Sequence, residues 1–100
     1  TRLYPVTSNH AGPTRLVEQA VTDLFGTERL VRPENPMSAA EDFSKVLLEV
    51  PGAFVLLGAA PVDVDPATAA NNHSASVRYS DDVIGDAARL LAELAVRSLA

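Results

Sequence analysis

Apolar residues along the chain recur in two rhythms. Leu16, Val17, Ala20, Val21, Leu24 and Phe25 fall one and four apart, the stripe of an amphipathic helix. Pro13 suits the first turn of that helix, where its missing N–H is not needed. Gly26 follows the last apolar residue, where helices commonly stop. Phe43, Val46, Leu47 and Val50 make a second helical stripe, halted by Pro51-Gly52. Ser38 and Glu41 form a capping box at its start. The third stripe is the broadest and runs through Val83, Ile84, Ala87, Leu90, Leu91, Leu94, Ala95 and Leu99. Ser80 is its predicted cap, with Asp81 and Asp82 in the positive first turn. Glu93 and Arg97 form a favourable i,i+4 pair on the same helix.

The second rhythm is that of strands. Arg2 to Ser8 is rich in strand formers, with Pro5 pushing it toward a sheet edge. Arg29 to Arg32 is short and closed by Pro33. Ala53 to Ala59 has no polar alternation, as in a strand covered on both faces. The expected order is β-α-β-α-β-loop-α, an α/β arrangement with helices packed on a mostly parallel sheet. So few strands leave three amphipathic helices poorly covered, and the remainder of the sheet is expected outside this sequence. Pro61 to Ser76 has no periodicity and reads as a loop of about 16 residues, a length that is usually functional or disordered.

Composition narrows the functional classes. One hundred residues make one domain or part of one. Hydrophobic residues at 47% and charged residues at 21% are a globular balance. The net charge of −5 and the scattered arginines argue against nucleic acid, which needs clustered cations. No apolar run approaches the ~18–20 residues of a membrane span, so no membrane partner is expected. No leader-like segment follows Thr1, which gives a cytoplasmic expectation, and the start at Thr-Arg-Leu-Tyr-Pro reads as the interior of a longer or processed chain. There is no cysteine, hence no thiolate nucleophile or thiolate metal site.

Candidate chemistry is sparse. His73 lies in the long loop as Asn71-Asn72-His73-Ser74, between the apolar stretch and the last helix, where α/β proteins place ligands. An imidazole there is either a solvent-exposed loop side chain or one metal ligand, and a metal would need partners from afar. His10 reads as turn polarity. Glu41 and Asp42 read as helix capping; the competing reading has backbone N–H groups near Ser38 to Ala40 receiving a substrate carboxylate. Asp63 and Asp65 lack the rest of a calcium loop and read as loop solvation. No phosphate loop, nucleophile elbow or paired-cysteine motif is present.

Three motifs taken together go further: Met37-Ser-Ala-Ala-Glu-Asp-Phe-Ser44, Val50-Pro-Gly-Ala-Phe-Val-Leu-Leu-Gly-Ala59 and Asn71-Asn-His-Ser74. In this order and spacing they resemble the C-terminal part of the metal-dependent aminoacylase/carboxypeptidase family. The nearest branch is the hippurate hydrolase, N-acyl-amino-acid amidohydrolase and indoleacetyl-amino-acid hydrolase type, and the resemblance runs from about Tyr4 to Leu99. It implies a two-domain amidohydrolase carrying two divalent metal ions, zinc or else manganese, cobalt or nickel. It also implies an inserted lid domain that serves as a homodimer surface. Residues 1–10 would end that lid with its last strand, and residues 11–100 would belong to the catalytic domain. The family's last metal ligand falls on His73. Ser38, Ala40 and Glu41 would line the substrate side of the cleft. The substrate implied is a small N-acyl amino acid or related amide, and the remaining partner is the rest of the same polypeptide. The other ligands and the general base glutamate would precede Thr1, so no catalytic residue is expected within this chain, and the hundred residues alone are expected to be inactive. Two departures stand out: Ala75 replaces the motif's proline, and Ser-Ala-Ala replaces a glycine-containing spacer. The alternative from another class is a stand-alone α/β binding or interaction domain without catalysis.

Overall fold

A computed structural model describes residues 4–35 and 41–99, and within them the regular elements are helices. α1 spans Ala11–Phe25, a short 3-10 turn spans Thr27–Arg29, α2 spans Phe43–Glu49 and α3 spans Val83–Leu99. The helical stripes of the sequence are therefore present, each displaced by a turn or less at its start.

The local chemistry explains the boundaries. α1 begins ahead of Pro13, which is tolerated because N–H groups of the first turn have no partner within the helix. Thr14 covers that end instead: its N–H and Oγ1 both donate to the His10 carbonyl, at 3.0 and 2.7 Å. Gly26 ends α1 at φ 95° and ψ 161°, a backbone region essentially confined to glycine, while its N–H still donates to Thr22 at 3.0 Å. The capping serine Ser38 lies outside the described residues. α2 opens instead with the Phe43 N–H donating to the Glu41 carboxylate at 3.4 Å. α2 closes where the Val50 N–H reaches Val46 at 2.9 Å and Pro51 can donate nothing further. Ser80 is close to its predicted role, with Oγ accepting from the Asp82 N–H at 3.2 Å, just ahead of α3.

The α/β class with a parallel sheet is overturned: among the described residues there is no strand. Arg29 to Arg32 holds the end of a 3-10 turn and then chain without a regular element, and Ala53 to Ala59 carries no ladder. A strand exists only where a second backbone takes up its N–H and C=O groups in register. Among the described residues, Ala53 to Ala59 meets a second backbone only at its end, where the Ser80 N–H donates to Ala59 at 2.8 Å. Its neighbour supplies a side chain instead, with Asn9 Nδ2 donating to the Phe54 carbonyl at 3.0 Å and Asn9 Oδ1 accepting from the Phe54 N–H at 2.7 Å. That pairing saturates one residue and propagates no further. Strand propensity in these segments is thus insufficient by itself to make a sheet.

Packing divides into two patches. α1 and α3 lie against one another, not on a sheet, with Ala20 fully buried between elements. The Arg97 guanidinium bridges this junction, donating to Asp23 on α1 at 2.9 Å and to Glu93 on its own helix at 2.8 Å. Arg29 reaches Asp86 at 3.0 Å, and both Arg29 and Arg89 lie over the Phe25 ring, at 5.2 and 5.7 Å from its centroid. The second patch joins α2 to the chain that follows it. The Phe43 and Phe54 rings approach to 5.6 Å, and Leu47 is 4% exposed. Gly52 packs so close that a Cβ there would come within 3.3 Å of Leu47 Cδ2. Elsewhere apolar surface is open, including Leu56, Leu57, Ile84, Leu91 and Leu99. The Cα radius of gyration, 15.0 Å, exceeds the about 13 Å of a compact domain of this length, consistent with so small a core.

Charge pairing orients these helices. Bonds from Arg32 at 2.9 and 2.6 Å hold the Glu18 carboxyl below its ordinary value. The Gln19 amide and then Arg97 hold Asp23 below its own. A carboxyl lowered by folding favours the folded chain above its unfolded value, and that contribution is lost as pH falls through the folded value. Acid therefore releases both ties.

One polar atom of the second patch is out of place. The Ser44 hydroxyl is fully buried and has no hydrogen-bond partner among the described residues. Burying such a group unpaired costs about 1–3 kcal/mol. Ser44→Ala is therefore expected to raise stability by about 1 kcal/mol, read as a higher urea midpoint at unchanged slope. A lowered midpoint would show that the hydroxyl has a partner.

Candidate functional site

The long loop is built from successive tight turns, which is why it showed no period. Val64 donates to Pro61 at 3.0 Å, Thr68 to Asp65 at 3.0 Å, Ser74 to Asn71 at 3.0 Å and Val77 to Ser74 at 3.2 Å. Side chains reinforce them as Asx and serine turns do. Asp65 Oδ1 accepts from the Ala67 N–H at 3.0 Å, and Ser74 Oγ accepts from the Ser76 N–H at 3.1 Å. Asp63 and Asp65 thus serve the loop's own structure; Asp63 also receives Arg78 across the loop at 3.3 Å. At its base the loop is closed by the Ser80 N–H donating to Ala59 at 2.8 Å.

His73 lies on this framework. Its N–H donates to Asn71 Oδ1 at 2.8 Å, which fixes the backbone, while the exposed ring makes no hydrogen bond among the described residues. A neutral imidazole in that setting, with neither nitrogen engaged among the described residues, offers one lone pair and fits as a single donor to a cation. It does not make a metal centre unaided: among the described residues no group of three His, Asp or Glu side chains converges to hold a metal ion.

The residues expected on the substrate side are placed unevenly. Ser38 and Ala40 lie outside the described residues. Glu41 is half-buried and its carboxylate accepts from the Phe43 N–H, while the expected capping box with Ser38 lies outside the described residues. No hydrogen bond joins Glu41 to His73.

Two residues have more structural weight than their sequence suggested. Asn9 and His10, read as turn polarity, bind Gly52 and Phe54 across more than forty positions. The only sequence signal is two adjacent polar side chains at the entry to α1, and nothing local reveals the distant partner.

The sequence profile of Peptidase family M20/M25/M40 matches residues 1–97. The chain belongs to that family. It is also 33% identical over 95 residues to the IAA-amino acid hydrolase ILR1-like 2 of Arabidopsis thaliana, covering 95% of this chain and 21% of that protein. The chain thus spans about a fifth of the length of the curated relative it matches. No solved structure gives a significant match. The resemblance carried by the three motifs is borne out, and it places the chain in a family of hydrolases of peptidase and amidohydrolase type. No helix among the described residues is long and apolar enough to cross a membrane.

Proposed function

We propose that this chain is part of a metal-dependent amidohydrolase that cleaves the amide bond of small N-acyl amino acids or related amides. The observation that carries the reading is the coincidence of the family match over residues 1–97 with an exposed imidazole, unpaired among the described residues, in its Asn71-Asn72-His73-Ser74 setting. The hydrolase that it resembles is named for an amino acid conjugate, which points to the amide class of substrate. His73 would be one ligand of two divalent metal ions, zinc or else manganese, cobalt or nickel. When bound, these would polarise the reacting groups and lower the barrier to water attack on the amide. Ser38, Ala40 and Glu41 are the candidates for the substrate's side of the cleft. The remaining ligands and the general base would come from outside these hundred residues. Residues 1–10 would close an inserted lid domain and residues 11–100 would belong to the catalytic one, in a homodimeric cytoplasmic protein.

The test compares the full-length gene product with residues 1–100 alone on a panel of N-acyl amino acids. The full-length protein is expected to hydrolyse at least one of them, to fall to background after chelation and to recover on metal addition. Residues 1–100 are expected to give no turnover. Full activity after exhaustive chelation, or hydrolysis by the hundred residues alone, would refute the reading.

A further inference from the structure

A helix at the surface of a domain turns its apolar stripe to the core and its charges to water. α3 does the reverse. Its charged residues, Asp86, Arg89, Glu93 and Arg97, lie on the side that meets α1 and the turn after it. Arg97 donates to Asp23 of α1 at 2.9 Å and to Glu93 at 2.8 Å, Asp86 accepts from Arg29 at 3.0 Å, and Arg89 lies over the Phe25 ring. The apolar residues nearest them, Val83, Ala87, Leu90 and Leu94, are half-buried. The other side carries Ile84, Ala88, Leu91, Ala92, Ala95 and Leu99, at the spacing of one continuous helical stripe. Each of these is exposed, Ile84 by 63%, Leu91 by 69% and Leu99 by 88%. No charged residue interrupts the stripe. Contiguous apolar surface of this kind marks a place of contact.

We propose that the outer face of α3, from Ile84 to Leu99, is an internal interface of the full-length polypeptide, covered by an aliphatic, uncharged surface from the part of the protein outside these hundred residues.

Area and length select that occupant over a second copy. The chain exposes 7917 Å², where a folded monomer of its 10.6 kDa exposes about 5,500 Å². The surplus of about 2,400 Å² is three times what a standard interface takes from one partner. A copy laid along a single helix leaves most of that surplus open. The relative that the chain matches has the length to cover it, because the match takes in only 21% of that hydrolase. The chemistry of the covering surface follows from the stripe. A charge set against Leu91 would be buried with no partner on α3, which is costly, whereas aliphatic side chains fit between the alanines and gain from burial.

The proposal rests on the reading of this chain as part of a longer amidohydrolase. Its test measures burial and not turnover, so either can fail alone. The unmutated full-length gene product is labelled with a photolysed diazirine, and carbene insertion is read residue by residue by mass spectrometry, with the urea-unfolded protein as reference. Insertion at Leu91 is expected to drop at least about tenfold from the unfolded level, because a fully buried side chain keeps under ~5% of its surface. Ile84 and Leu99 should drop with it. A face left open would keep most of its labelling, as the 69% exposure of Leu91 here implies, and that result would overturn the proposal. The labelling is repeated after dilution to the point where sedimentation shows monomers. Protection that persists in the monomer supports a cover from the same polypeptide. Protection lost on dissociation would assign the face to a second copy and overturn the proposal.

Discussion

Replacing His73 with alanine in the full-length gene product is expected to remove most hydrolysis of an N-acyl amino acid while leaving the fold intact. The two halves of that expectation have separate grounds. The ring is exposed and makes no hydrogen bond among the described residues, and the bond from its backbone N–H to Asn71 survives the substitution. Surface changes of this kind stay within about 0.5 kcal/mol of the parent stability. As the proposed metal donor, by contrast, the imidazole would supply one of a handful of ligands. Loss of even an outer-shell partner costs about 10–100-fold in affinity or activity, so loss of a direct ligand should cost at least that. Metal content by mass spectrometry, turnover and the thermal transition should be measured on the same preparation. An unchanged transition with depleted metal and lost turnover is the expected pattern. Parent-level metal and turnover would remove His73 from the site and leave the family membership standing.

Leu47→Ala is expected to be the most damaging substitution for stability. Leu47 is one of only two buried apolar side chains among the described residues, and it carries the patch where Phe43 and Phe54 meet. Removing its branch withdraws buried methyl groups and leaves a cavity, a loss of about 2–5 kcal/mol. Domains have a total of about 5–15 kcal/mol to lose. Leu47 Cδ2 would lie 3.3 Å from a Cβ at Gly52, so the same substitution should also slacken the His10 contact to Gly52. Chemical denaturation of the full-length gene product checks this. A loss below about 1 kcal/mol would mean that the site collapses onto the smaller side chain, as well-relaxing sites can.

The helices were legible because helical order is local. Stripes one and four residues apart, Gly26 after Phe25, Pro51 after Val50 and the Glu93–Arg97 pair all act within a few turns, and the structure shows α1, α2, α3 and that ion pair. The family and the candidate ligand were legible because the three motifs are short and contiguous. The strands were not. Apolar and β-branched residues in Ala53 to Ala59 favour extended chain, yet whether extended chain becomes sheet depends on a second backbone that composition cannot supply. The partner found was the amide of Asn9, a side chain standing in for one residue of a strand.

What the amino acids determined by themselves was where the chain coils, where it breaks and to which family it belongs. Only the tertiary structure decided that Arg97 reaches back to Asp23, that Ala53 to Ala59 stays unladdered and that His10 closes on Gly52. The reason is range: propensity and capping sum over neighbours in sequence, whereas a hydrogen bond across forty or seventy positions exists only once packing has brought its two ends together.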